Sequence, residues 1–86
     1  MALPSAAFPL TLPAGMRATR AMQALLSLLP AQPPAGWTEA LVEAALQQRG
    51  IGVNRVTVYR ALDRLTQAGR LVRSVDAQRT GRYWVA

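Results

Sequence analysis

The stretch Asn54-Arg55-Val56-Thr57-Val58-Tyr59-Arg60-Ala61-Leu62-Asp63-Arg64-Leu65-Thr66-Gln67-Ala68-Gly69 decides how this 86-residue chain folds. Val58, Leu62 and Leu65 recur at i, i+4 and i+7, which is one buried face of an α-helix. Asn54 offers an N-cap, and Gly69 closes the helix after Ala68. Downstream, Leu71 to Val75 and Arg82 to Val85 are rich in Val, Tyr and Trp and flank the polar segment 76–81. That pattern predicts a β-hairpin with a mobile tip. Tyr83, Trp84 and Val85 alternate, so that one set closes the core while the other faces out.

Upstream, two more helices precede this one. Met22, Leu25, Leu26 and Leu29 keep the helical period over Arg17 to Leu29, and Pro30 ends it. Residues 30–36 hold three prolines and a glycine and read as a loop. Trp37 stands before the N-cap candidate Thr38, with Val42 four positions further on, the spacing of a hydrophobic staple. The second helix turns Leu41, Val42, Ala45 and Leu46 inward and reaches Gly50, placed for a left-handed C-terminal cap. Ile51 to Val53 is long enough only for a turn or strand stub. Three helices followed by a hairpin describe a mainly α chain with a small β-hairpin, a winged helix-turn-helix spanning residues 16–86. Residues 1–15 are a separate uncharged block with Pro4, Pro9 and Pro13, read as an extended apolar arm. Its Leu3, Phe8, Leu10 and Leu12 suit packing on the domain or on a second subunit; the other reading is a disordered tail.

Composition excludes whole classes of chemistry. With 51% apolar and 16% charged residues the chain is globular, and one core of this size leaves no deep cleft between lobes. It contains neither Cys nor His, which removes disulfides, thiolate chemistry, imidazole catalysis and zinc or iron ligation. Only Glu39, Glu43, Asp63 and Asp76 remain as general acids or hard-metal ligands, so neither an enzyme nor a metal or other cofactor is expected. The net charge of +6 comes entirely from arginines, ten of them, and points to an anionic partner. Nucleic acid suits it better than membrane, because no segment joins dense basic charge to a long apolar face. A GC-rich genome also favours arginine over lysine, but it does not cancel the charge. The first fifteen residues lack the basic start of a signal peptide, and the leucine-rich run 24–29 is too short to span a bilayer, so a cytoplasmic protein is expected.

Projected at 100° per residue, the outer face of the third helix gathers Tyr59, Arg60, Asp63 and Gln67, with Thr57 and Arg64 on its flank. An aromatic ring, a guanidinium, a carboxylate and an amide are groups that read base edges in a major groove. Arg60 suits guanine O6 and N7, Tyr59 a thymine methyl. Asp63 either accepts from cytosine or holds Arg60; Thr57 and Arg64 suit phosphates. A merely solvated helix face with an Arg60–Asp63 pair is the plain alternative. Arg73, Arg79 and Arg82 put further positive charge on or near the hairpin, where a wing meets backbone or minor groove, or where charge simply solubilises a turn.

The run Thr57-Val58-Tyr59-Arg60-Ala61-Leu62-Asp63-Arg64-Leu65, continued by Ala68-Gly69 and Leu71-Val72-Arg73, resembles the recognition helix and wing of the ferric uptake regulator family. Met16-Arg17-Ala18-Thr19-Arg20 resembles the approach to that family's first DNA-binding helix, whereas residues 37–50 match only in pattern. The resemblance implies that Tyr59 and Arg60 enter the major groove, that Arg17 reaches the adjacent minor groove, and that Arg20 belongs to the same approach. It implies a bacterial, nucleoid-associated transcriptional regulator, a repressor or its DNA-binding domain, with double-stranded DNA as partner. Family members continue into a metal-binding dimerisation domain, and this chain stops where that domain begins, so metal sensing is not carried over. A homodimer through the N-terminal arm is expected in its place. A winged helix that docks on another protein is the alternative function, and RNA binding a weaker one, since only Tyr59 is placed outward for stacking.

Overall fold

A computed structural model describes residues 10–86. Three helices, α1 (Arg20–Leu28), α2 (Glu39–Gln48) and α3 (Arg55–Gln67), lead into the antiparallel strands β1 (Leu71–Val75) and β2 (Gly81–Val85). This is the expected winged helix-turn-helix. Each helix opens on the kind of residue that can satisfy its orphan amides. Thr19, Thr38 and Asn54 stand in extended backbone, and their side-chain oxygens accept from Met22, Leu41 and Thr57 N–H. Thr19 also corrects the start of α1. The helix begins at Arg20 rather than Arg17, because Thr19 caps it and Arg17 stays in the extended approach.

The end of α1 shows how proline shapes the molecule. Pro30 has no N–H to offer the Leu26 carbonyl, and that carbonyl instead accepts from Leu10 N–H at 3.0 Å. The Thr11 carbonyl accepts from Arg70 Nε at 3.1 Å, and Leu10 and Leu12 pack against the core. Residues 10–12 of the expected arm thus belong to the domain itself. Leu3 and Phe8 lie outside the described residues.

The core joins Leu25, Leu26 and Leu29 of the first helix and its cap to Val42 and Leu46 of α2. Val58, Leu62 and Leu65 of α3, with Leu71 and Tyr83 of the hairpin, complete it. Burying each such side chain contributes about 1.5–3 kcal/mol. Leu41, expected in the inward stripe of α2, is 44% exposed; the stripe runs through Val42 and Leu46 instead. Trp37 does more than staple a helix. Its backbone exchanges two hydrogen bonds with Tyr83, at 2.8 and 2.9 Å, forming a one-residue bridge to β2, and its Nε1–H donates to the Leu29 carbonyl at 2.8 Å. Loop, helix end and wing are thereby tied at one buried indole. Gly36, next to it, has φ 82°, and an added Cβ would lie 2.8 Å from the Trp84 ring.

The hairpin tip departs from expectation in being fastened. Asp76 Oδ1 accepts from the N–H groups of Gln78 and Thr80, each at 2.9 Å, and Oδ2 pairs with Arg82 at 2.9 Å. A turn closes from Arg79 N–H to the Asp76 carbonyl, and Arg79 then takes φ 63°, the left-handed position of a three-residue hairpin loop.

Candidate nucleic-acid interface

The helix-turn-helix places α3 with Val58, Leu62 and Leu65 buried, so its opposite face is fixed outward. Tyr59, 46% exposed, and the exposed Arg60 lie there as expected. Val56 joins them. It is 54% exposed in the first turn, at about 160° on the same projection, between Tyr59 and Arg60. Val56 was not among the expected contacts, although its wheel angle alone places it outside.

A groove of about 500 Å³ runs between the approach to α1 and this helix, lined among others by Arg17, Thr19, Thr57, Arg60 and Arg64. Local chemistry puts Arg17 on its edge. A turn closes from Met16 N–H to the Pro13 carbonyl with Gly15 at φ 83°, and Thr19 then starts α1, leaving Arg17 exposed in between. Four expected contact residues, Arg17, Thr57, Arg60 and Arg64, therefore share one concave surface although up to 47 positions separate them.

No carboxylate lines the groove. Glu43 pairs with Arg55 at 2.9 Å, and Asp76 pairs with Arg82. Asp63 accepts from Gln67 Nε2 at 3.0 Å, so it does not hold Arg60. Glu39 lies in the first turn of α2, where the helix dipole favours an anion. Among the described residues, Arg17, Arg60 and Arg64 form no ion pair, and the groove is left with uncompensated positive charge.

The remaining expected contacts are not brought into it. Arg20 is exposed at the start of α1 but does not line the groove, and Tyr59 and Asp63 lie on the far side of Arg60 from it. Arg79 is exposed at the wing tip. Arg82 is committed to its own fold: its Nε holds Asp76 and its guanidinium donates to the Ala35 carbonyl at 3.3 Å. Arg73 likewise turns back, with its guanidinium carbon 5.8 Å from the Tyr83 ring centroid and Nε donating to the Tyr83 hydroxyl. The pKa of Asp76 is held below its ordinary value, chiefly by the Thr80 amide and further by Arg82 and the Gln78 amide. No described helix is long and apolar enough to cross a membrane. No family model matches this chain, and no curated protein matches it.

Proposed function

We propose that this winged helix binds double-stranded DNA sequence-specifically and acts as a transcriptional repressor, in the manner the likeness to the ferric uptake regulator family implies but without a metal. One observation carries the reading. Arg17, Thr57, Arg60 and Arg64 converge on the surface beside an exposed α3, and no carboxylate lines that groove. Arg60 reads a base edge, with Val56 and Tyr59 offering apolar contact to thymine methyls. Thr57 and Arg64 take phosphates, Arg17 the adjacent minor groove, and Arg79 adds a sequence-independent contact from the wing. Fluorescence anisotropy on random and selected duplexes across a salt series tests this. Four to six phosphate contacts give a slope of about −4 to −5 in log K against log salt, with selected sites bound more tightly than random ones. A flat salt response, or selection that enriches no sequence, defeats the proposal. A chelator at matched ionic strength leaves affinity unchanged.

Two recognition helices one DNA turn apart would give a single small domain the discrimination it lacks alone, and a homodimer is the assembly we propose. Leu10 and Leu12 are engaged with their own core, so the pairing falls to residues 1–9 with Leu3 and Phe8. Mass in solution with and without residues 1–9 decides it, and an intact chain that stays monomeric at high concentration sinks the idea. The competing reading, a protein-docking winged helix, draws on Val72 and Val75, 54% and 55% exposed on β1. Replacing both with serine leaves DNA binding unaltered on the first reading.

A further inference from the structure

The groove lies beside a face proposed for duplex recognition, yet its floor is hydrocarbon. Met22, Leu25, Leu46 and Val58 form its base, all buried or nearly so, with Met16 and Ala61 on the walls. Phosphates have nothing to place against such a floor, and the proposed thymine-methyl contacts fall to Val56 and Tyr59, which do not line the groove. A volume of about 500 Å³ falls instead within the range of sites that enclose small molecules. Two thioether side chains line it, and methionine adapts its shape to varied apolar guests. The rim carries the guanidiniums of Arg17, Arg60 and Arg64, none of them in an ion pair, and no carboxylate lines the groove. Their planar forks match a carboxylate better than a lone ammonium would.

We infer that this groove binds a small amphipathic anion, a monocarboxylate with an aliphatic body, and that this ligand and DNA exclude one another. The tail lies on Met22, Leu25 and Val58, and the carboxylate is clamped by Arg60 with Arg17 or Arg64. Occupancy withdraws the same guanidiniums from base and phosphate. Because both ligands draw on one set of arginines, the exclusion is reciprocal: DNA weakens the carboxylate as much as the carboxylate weakens DNA. The exclusion rests on the DNA-binding reading above, whereas the carboxylate site does not.

Sodium decanoate, titrated at submillimolar concentration into isotopically labelled protein, is the probe. Saturable amide shifts are expected at Met16, Arg17, Thr57 and Arg60. Acetate, which has the head alone, and decyltrimethylammonium, which has the tail with the opposite charge, should produce none of them. Arg60→Gln should weaken decanoate by at least about tenfold, the worth of one charge-assisted hydrogen bond. Ala61→Leu, which fills the groove without touching charge, should weaken it as well, with thermal melts showing both variants folded. Shifts that fail to saturate, that decyltrimethylammonium reproduces, or that survive Arg60→Gln and Ala61→Leu unchanged overturn the site. On a labelled duplex, decanoate should raise the apparent Kd for DNA in proportion to one plus the ratio of its concentration to its own Kd. Undiminished DNA affinity overturns the exclusion. Decanoate binding by a protein that ignores DNA altogether also strikes out the exclusion, along with the DNA reading, and leaves the carboxylate site standing.

Discussion

The groove beside α3 and the wing both carry three of the ten arginines, and the two regions use them in opposite ways. On the wing, Arg82 ties Asp76 to the Ala35 carbonyl and Arg73 lies against Tyr83, so two guanidiniums are engaged within the fold, whereas Arg79 is exposed at the tip. In the groove, Arg17, Arg60 and Arg64 hold nothing in place. A guanidinium whose donors are met inside the fold contributes to stability, and one left unmet is available to a ligand. Identical residue types are thus divided by where the four carboxylates and the nearby carbonyls lie.

The largest effect expected from testing this division is structural and falls where the wing meets the loop. Gly36→Ala adds a left-handed alanine and drives its Cβ into the Trp84 ring. About 2–4 kcal/mol of stability should be lost in urea unfolding, combining the backbone and overpacking costs. Gly52→Ala, with open space around the new methyl, should be close to neutral. If both behave alike, the Trp84 ring does not pack against Gly36 tightly enough to constrain it.

Next in size is the groove. Arg60→Ala should cost about 1–3 kcal/mol on the preferred duplex, relax base preference at one position, and leave the unfolding midpoint within about 0.5 kcal/mol of the parent. Arg82→Ala should show the reverse pattern, with faster hydrogen exchange through β1 and β2 and little selective change in DNA affinity. An Arg82→Ala variant that exchanges like the parent would erase the contrast between the two regions.

Arg79 sits on the boundary, exposed like the groove arginines but strained by its place in the turn. Arg79→Gly should stabilise the fold by about 1 kcal/mol, since glycine takes φ 63° without a Cβ penalty. It should at the same time weaken binding to all duplexes alike. A melt and a binding isotherm on one variant check both halves.

The smallest effect is the response to acid. Asp76 is held below its ordinary pKa, first by the Thr80 amide, so its contribution is present at and above the usual aspartate range. It disappears as pH falls through that lowered value. Amide signals of Gln78 and Thr80 should therefore persist through ordinary carboxylate titration and collapse only under stronger acid. Asp76→Asn should remove the transition.

Most of the fold was legible in the chain itself. Proline at 30, glycines at 50 and 69, the caps Thr38 and Asn54, and the period of Val58, Leu62 and Leu65 act over a few bonds, and each was readable where it stood. The outward position of Tyr59 and Arg60 followed from the same period. Other features could not be read locally, because their partners are remote. The Leu26 carbonyl freed by Pro30 is taken by Leu10, sixteen positions away, and Trp37 pairs with Tyr83 across the loop and the whole of α2 and α3. Composition and periodicity contain no term for such meetings. The arginines divide along the same line. Sequence determined how many there are and which face of α3 carries two of them. Only the tertiary structure decided that Arg82 is spent on Asp76, that Asp63 goes to Gln67, and that Arg17 joins Arg60 and Arg64 over an apolar floor, since charge acts through space and the chain's order does not record that distance.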